Sequence, residues 1–384
     1  MDSSPLTLKY YIIHMELMPK GSEVTQVLRT CPACAKRPPP NKNEAQLEVE
    51  YITKRKGNLS SKKLHSCGHD TKVQTELEVL EDYESQMCFH YCNKNLGHEK
   101  FYSVRTFTKD KLPIDLQDPE IFECIQWLAN LTVKLEIQLD EFDDRNNSKF
   151  RTGSGSLYIA ESQYESTCPC DECKQSITGP KAEFRYIRVT TAKHVIGNDE
   201  AKKTKVWIGF EDDRDKSKIK YLLGHSLVRS DENADRCILE CITHDLDLYN
   251  WVLNTRSHIR DLERSLKSRY GKNCPNLAVI ISHPHGVEKK ISFGKITNRY
   301  IRTQEDCGPD RQRTSFDHNV PTCKGSSGAV LWILGLERVG YMDHMITDHT
   351  HSDGGITENK NSSGEGLEWE FPNIEELEVH NHEK

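Results

Sequence analysis

Short apolar segments separated by polar turns dominate the chain from about residue 153 to residue 342. The segments are rich in β-branched residues and too short for helices, which is typical of strands. We predict strands at 156–160, 184–190, 205–210, 237–242, 277–282, 290–296, 328–334 and 339–342. Strands at this spacing predict an all-β sandwich or barrel.

Three further segments complete the pattern of elements. Asp118 to Leu131 places its apolar residues on one helical face, and Pro119 behind Asp118 is typical of a first helical turn. Residues 249–270 predict a second amphipathic helix among the strands. Thr132 to Leu139 alternates strictly between polar and apolar residues, which predicts a half-buried strand.

Changes of composition divide the chain into four regions. Residues 1–95 contain most of the Cys/His motifs and predict a small α+β module, whose first segment, 8–17, is strand-like. Residues 96–117 form a connector, and residues 118–352 form the strand-rich main domain. Residues 353–384 are rich in glutamate and predict a disordered tail.

Composition narrows the choice of partners and compartment. The chain has 384 residues, of which 35% are hydrophobic and 29% charged, and its net charge of −7 argues against nucleic acid as a partner. No stretch approaches the ~18 consecutive apolar residues of a membrane helix, and no signal-peptide pattern opens the chain. We therefore expect a cytoplasmic protein without a membrane partner. Its 14 cysteines are then thiols or metal ligands, since the cytosol keeps disulfides reduced.

A histidine, an acid and a serine occur in that order along the main domain. A serine hydroxyl needs a base to take its proton, and His194 in Thr-Thr-Ala-Lys-His is the candidate base. Ser327 lies in Gly-Ser-Ser-Gly and is the candidate nucleophile. The acid that orients the imidazole is predicted to be Asp245, with Asp247 as a rival two residues on. The backbone N–H groups of Gly325 and Ser327 would stabilise the oxyanion.

Two further motifs lie in the order expected of one known family. Arg-Thr-Gly-Ser-Gly-Ser at 151–156 precedes the histidine, and His-Pro-His-Gly at 283–286 precedes the serine. Together the motifs resemble the trypsin-like serine peptidases of the chymotrypsin fold, and more their intracellular, HtrA-like and viral-like branches than the secreted enzymes. Lys193, Ser326 and Ala329 depart from the usual pattern without removing a catalytic group.

This resemblance covers about residues 118–352. It implies a mainly β protein with a chymotrypsin-like double β-barrel and an active site in the cleft between the barrels. It also implies hydrolysis of peptide bonds through an acyl-enzyme, with His194, Asp245 and Ser327 as the triad and no cofactor for catalysis. The oxyanion amides carry over onto Gly325 and Ser327.

The cysteine motifs predict structural metal. Cys-x-x-Cys spacing lets two sulfurs face a single ion, and we predict a closed zinc site formed by Cys31, Cys34, Cys67 and His69. The alternative ligands are His65, Cys88, His90 and Cys92. Cys168, Cys170 and Cys173 either bind a metal with a fourth ligand from elsewhere or belong to a Cys-rich hairpin.

Two functions follow from these motifs. The first is a serine endopeptidase that acts on protein or peptide substrates and binds a protein partner through residues 1–95. The alternative is a catalytically silent trypsin-like fold that acts as a binding or signalling module. Segments 317–322 and 339–342 are predicted to line the specificity pocket. The histidines at 344, 349 and 351 lie either in a solvated loop or in the pocket wall.

Overall fold

A computed structural model of the chain describes residues 78–80, 88–142, 148–159, 167–176, 183–212, 219–232, 235–271, 276–302, 312–336, 349–354 and 360–366. The chain divides into two compact units, Met1–Asp70 and Thr71–Lys384, and every described residue belongs to the second. The predicted strand at 8–17 and the predicted zinc ligands Cys31, Cys34, Cys67 and His69 lie outside the described residues, as does the alternative ligand His65.

The described part of the chain is mostly β, as predicted. Its strands are β1 (Glu78–Leu80), β2 (Tyr102–Ser103), β3 (Thr132–Phe142), β4 (Ser148–Tyr158), β5 (Arg185–Thr191), β6 (Thr204–Ile208), β7 (Lys220–Asp231), β8 (Arg236–Thr243), β9 (Ala278–Ser282), β10 (Lys290–Gly294), β11 (Ile296–Arg302), β12 (Gln312–His318), β13 (Val330–Ile333), β14 (His349–Gly354) and β15 (Lys360–Gly366). Its helices are α1 (Pro119–Leu131), α2 (Asp171–Gln175) and α3 (Leu246–Tyr270). Short 3-10 turns occur at Leu96–His98, Lys109–Lys111, Ile114–Leu116, Lys193–Val195, Ala201–Lys203 and Pro284–Gly286.

Six of these strands form a closed barrel. They pair in the order β4-β3-β6-β7-β8-β5, and β5 pairs back onto β4 through Ser156 and Thr190. All of these pairs are antiparallel. Leu135, Val189 and Leu239 are fully buried in its interior. Closure pairs both ends of the six-stranded sheet. β1 pairs with β4 at Phe150–Thr152, before the stretch of β4 that pairs with β5.

The second sheet contains the other eight strands in the order β11-β12-β15-β14-β13-β9-β10-β2. Within the described residues its end strands, β11 and β2, do not pair with each other. The closed six-stranded barrel therefore agrees with one half of the predicted double barrel, and closure of the other half stays a prediction.

Helices α1 and α3 pack against each other beside the sheets. Asp118 caps α1 by accepting a hydrogen bond from the N–H of Glu120 (2.8 Å), as its position before Pro119 predicts. The Asp118 carboxylate also bonds Arg269 (2.6 Å) and the hydroxyl of Tyr270 (2.8 Å) near the end of α3. Among the described residues, no helix combines the length and the apolar character needed to cross a membrane.

Strands of the second sheet lie beyond both predicted boundaries of the main domain, residues 118 and 352. In the predicted connector, β2 pairs with β10. In the predicted disordered tail, β15 pairs with β12 and β14. Backbone hydrogen bonds hold both segments in the second sheet, and neither segment has the alternation of apolar residues that would have predicted a strand. Residues 367–384 lie outside the described residues.

Candidate active site

His194 lies in the 3-10 turn directly after β5, and its ring nitrogen Nδ1 is 2.6 Å from Oδ2 of Asp235. The other carboxylate oxygen of Asp235 accepts a hydrogen bond from the backbone N–H of His194 (2.9 Å). Both side chains are largely buried, with exposed fractions of 14% and 25%. Asp235 therefore fixes both the position of the histidine and the orientation of its ring.

The structure places Asp235 behind His194, where Asp245 or Asp247 was predicted. The end of β5 pairs with the beginning of β8, because the strands are antiparallel and Thr191 lies opposite Cys237. Asp235 directly precedes β8, whereas Asp245 follows it. At about 3.4 Å a residue, the eight residues of β8 separate the two acids by roughly 25 Å.

Asp245 and Asp247 belong to the beginning of α3. The Asp245 carboxylate accepts hydrogen bonds from Lys220 (2.7 Å) and from the N–H of Leu248 (2.9 Å), and the pair with Lys220 is the main cause that lowers its pKa. Asp247 lies exposed in the first turn. Both acids therefore contribute to the helix N-terminus, where negative charge is favourable.

The other ring nitrogen of His194, Nε2, is buried and has no hydrogen-bond partner in the part of the chain that the structure describes. Lys193, the unusual residue before the histidine, donates to the carbonyl of Ile196 (3.2 Å) and so closes the same turn. Of the two ring nitrogens, Nδ1 therefore contacts Asp235, and Nε2 makes no hydrogen bond within the described residues.

Ser327 lies in the loop before β13, and this loop docks onto the same end of the barrel. The carbonyl of Ser327 accepts a hydrogen bond from the N–H of Ser154 in β4 (2.8 Å), and the Ser154 hydroxyl donates to the carbonyl of Gly325 (2.8 Å). A Cβ at Gly328 would collide with Thr191 Oγ1 and with the carbonyl of Ser154. The serine loop is thus packed against the last residue of β5, three residues before His194.

Gly325 has the backbone conformation that this loop requires. Its φ of +86° lies in the region that glycine adopts without strain. A Cβ there would lie 2.6 Å from the carbonyl oxygen of His283 and 2.9 Å from the N–H of His285. Within the described residues, the N–H of Gly325 donates to no protein acceptor. That N–H is consequently free to serve as an oxyanion donor.

Ser326, the residue before Ser327, is fully buried and anchors the loop. Its hydroxyl is 3.0 Å from the hydroxyl of Ser282 and accepts a hydrogen bond from the N–H of Cys323 (3.3 Å). The Ser326 N–H in turn donates to the carbonyl of Cys323 (2.9 Å). Serine at position 326 thus holds the turn through hydrogen bonds to Ser282 and Cys323.

His351 is bonded to the residues that follow Ser327 and is fully buried, so the solvated-loop interpretation does not hold for it. Its carbonyl accepts from the N–H of Gly328 and its N–H donates to the carbonyl of Ala329, each at 2.7 Å. Its ring packs edge-on against buried His318, with ring centroids 5.3 Å apart. The side chain of His349 and all of His344 and 339–342 lie outside the described set.

Two groups of four cysteine and histidine side chains could each hold a metal ion, with their ligand atoms within 4.8 Å of one another. Tetrad A contains Cys92, His98, His285 and Cys323; tetrad B contains Cys168, Cys170, Cys173 and His244. Tetrad B supplies the fourth ligand that the sequence left open. Tetrad A uses one of the alternative ligands, Cys92, with three residues that local spacing did not single out.

The protonation of the thiols follows from their surroundings. The hydrogen bond with Cys323 lowers the pKa of Cys92 to about 2 against the effect of burial, with further contributions from His285 and His98. Burial raises the pKa of Cys323 well above its usual range, so the pKa values of these two neighbouring thiols shift in opposite directions. In tetrad B, burial is the main cause that raises the pKa of Cys168 to about 12.

Comparison with known proteins adds little to this geometry. No protein-family model matches the chain, and no curated protein matches it. Among solved structures, the chain is similar to the crystal structure of the Rv3671c protease in an inactive form, at 14% identity and a TM-score of 0.33. That match covers 64% of this chain and 90% of the other. A TM-score this low leaves functional assignment to the residues described above.

Proposed function

We propose that this protein is a serine endopeptidase of the trypsin-like class, with a chymotrypsin-like double barrel and a triad of Ser327, His194 and Asp235. The observation that carries the proposal is the bidentate contact of Asp235 with His194 at the barrel end on which the Ser327 loop docks. The first barrel would contribute the base and the acid, and the second sheet the nucleophile.

The proposed reaction has two half-reactions. Ser327 Oγ attacks the peptide carbonyl carbon while His194 Nε2 takes the hydroxyl proton, and Asp235 stabilises the resulting imidazolium. The N–H groups of Gly325 and Ser327 stabilise the oxyanion. His194 then gives the proton to the leaving amine, which leaves an acyl-enzyme on Ser327. A water molecule, deprotonated by His194, releases the acid product and restores the serine.

The substrates are proposed to be proteins or peptides. Segment 317–322 and His351 would form walls of the specificity pocket, because His351 is bonded to the residues that directly follow the nucleophile. Residues 1–95 are proposed to bind a protein partner. No cofactor takes part in the reaction, and metal ions would have structural roles.

One observation favours the catalytically silent alternative. Because Nε2 of His194 has no hydrogen-bond partner within the described residues, the Ser327 hydroxyl does not donate to it in this state. Catalytic hydrogen bonds are often long without substrate and shorten in the complex, so this geometry also suits a resting peptidase.

Cleavage of a proteome-derived peptide library distinguishes the two functions. We expect the wild-type protein to cleave peptides at a consistent P1 residue, and Ser327→Ala and His194→Ala each to abolish cleavage. Thermal unfolding of the variants should stay close to the wild type. A correctly folded wild-type protein that cleaves no peptide would support the binding module.

A further inference from the structure

Tetrad A has the composition and dimensions of a closed zinc site. Tetrahedral zinc with Zn–S of about 2.3 Å and Zn–N of about 2.0 Å places neighbouring ligand atoms about 3.3–3.8 Å apart. Cys92 Sγ is 3.6 Å from Cys323 Sγ, which is 3.4 Å from His98 Nε2. All four side chains are buried, with exposed fractions of 9%, 6%, 4% and 0% in chain order. Two thiols and two imidazoles converge here on a volume suited to one ion.

The backbone of the two histidines supports a ligand role. His98 (φ +48°) and His285 (φ +55°) both adopt the left-handed conformation, although neither is glycine. Such a conformation is unfavourable for residues with a Cβ and persists where the surroundings hold it in place. Bonds to a metal would hold both residues, which lie in separate 3-10 turns.

The surroundings of tetrad A resemble an outer shell of a metal site. The amide nitrogen of Asn95 donates to Cys323 Sγ (3.1 Å) and to the carbonyl of Thr322 (2.7 Å). The ring of Phe89 stacks on His98 with centroids 3.8 Å apart. Donors to sulfur and an apolar cover are the features that orient ligands and exclude water.

Tetrad A connects directly to the proposed oxyanion loop. Cys323 lies two residues before Gly325 and four before Ser327, and His285 donates its N–H to the carbonyl of Lys324 (2.6 Å). An ion held by Cys323 and His285 would therefore fix both sides of the turn that presents the Gly325 amide.

The other two ligands come from a distant part of the sequence. Cys92 and Cys323 are 231 residues apart, and Cys92 and His98 precede α1. The same ion would thus bind residues 92–98 to the nucleophile loop. We propose that a zinc ion in tetrad A joins these segments and that the oxyanion loop needs it to adopt its active conformation. The second half of this proposal depends on the peptidase function proposed above.

Tetrad B provides a matched control elsewhere in the same domain. His244 directly follows β8 at Thr243, which lies opposite Arg185 at the beginning of β5. His194 and Asp235 lie at the other ends of these strands, roughly 24 Å away over seven residues at about 3.4 Å each. Loss of tetrad B would remove a metal site without a direct contact to the serine loop.

The test measures zinc and serine reactivity separately on the full chain, purified under reducing conditions. Zinc content by mass spectrometry should fall by one equivalent in Cys92→Ser and by one in Cys170→Ser, relative to the wild type. Fluorophosphonate labelling of Ser327 should slow by about 100-fold in Cys92→Ser only, the effect expected from a misplaced oxyanion donor. Cys92→His, which retains a ligand, should recover both zinc and labelling.

Chelation of the wild-type protein tests the same proposal if Cys92→Ser fails to fold. Removal of zinc should slow labelling of Ser327, and return of zinc should restore it. Cobalt in place of zinc should produce the visible absorption of a tetrahedral thiolate site.

A Cys92–Cys323 disulfide in non-reduced peptide maps, or unchanged zinc in Cys92→Ser, would overturn the zinc site. Zinc loss with unchanged labelling would overturn the control of the loop. Zinc binding without any wild-type labelling would refute the peptidase and leave the metal site intact.

Discussion

Replacing Asp235 by asparagine tests the most specific feature of the proposed site. Asparagine keeps an oxygen that can accept from the His194 backbone N–H, now at 2.9 Å, so the turn should stay folded. Its amide NH₂ would instead face Nδ1, which is 2.6 Å from the carboxylate. The ring would then carry its proton on Nε2, the atom that has to accept the serine proton.

The expected decrease in rate follows from the role of Asp235 in the proposed triad. Loss of the carboxylate behind the imidazole in a Ser-His-Asp triad lowers kcat on the order of 10⁴-fold, which corresponds to about 5 kcal/mol of transition-state stabilisation. We expect a similar decrease in the rate of peptide cleavage by Asp235→Asn, with a thermal midpoint close to that of the wild type. The assay is the steady-state rate on the best library peptide.

Asp245→Asn is the matched control, because it makes the same chemical change at the acid that the sequence favoured. Asparagine is an equally good N-cap for α3. The lost ion pair with Lys220 is exposed, with exposed fractions of 58% and 39%, and such pairs contribute less than about 1 kcal/mol. Cleavage should therefore be unchanged. A large loss in Asp245→Asn together with normal rates in Asp235→Asn would refute this reasoning.

Two further predictions concern the loop and the pH dependence of stability. Gly328→Ala should abolish cleavage and lower the thermal midpoint, because φ is +83° and the new methyl group would collide with Thr191 and Ser154; normal activity would contradict the docking of the loop. Lys289 is fully buried, and burial lowers its pKa from 10.5 to about 8. The folded state therefore loses this proton before the unfolded state does, so the free energy of unfolding should rise between pH 8 and pH 10.5 by up to about 3 kcal/mol. Chemical denaturation across this range should show the rise in the wild type and a flatter profile in Lys289→Met.

Elements specified by local sequence were predicted well. Asp118 and Pro119 marked the beginning of α1, and the alternation from Thr132 marked β3; both lie where they were predicted. β4 begins at Ser148, whereas the sequence predicted a strand only at 156–160. The prediction started too late because the first part of β4 is mostly polar and contains glycine. Hydrogen bonds to both neighbouring strands, rather than its composition, hold this part of the chain in the barrel.

Asp235, the carboxylate that contacts His194, was not predicted, because its position depends on which strands pair. The sequence places Asp245 in a motif after β8, where a carboxylate is conspicuous, but the antiparallel pairing of β5 with β8 brings the opposite end of β8 to His194. The signal that could have found Asp235 is an acid directly before the strand that pairs with the histidine strand. Using that signal requires knowing which strands are neighbours.

The two tetrads could be predicted only in part from the sequence, for the same reason. Cys168, Cys170 and Cys173 are close in sequence, so metal binding with a fourth ligand from elsewhere was one of their two interpretations, and the fold brings His244 to them. In tetrad A, the four residues come from three separate parts of the chain. No local spacing predicts such a set, because only the fold brings its members together; Cys92 and Cys323 are 231 residues apart.

The proposed function requires that Ser327 is a nucleophile activated by His194. The most direct measurement is intact-mass and peptide-level detection of a fluorophosphonate adduct on the full-length protein. We predict one adduct per chain on Ser327 in the wild type, and none in Ser327→Ala or His194→Ala at matched stability. An unlabelled wild type, or a wild type labelled at another serine, would contradict the claim.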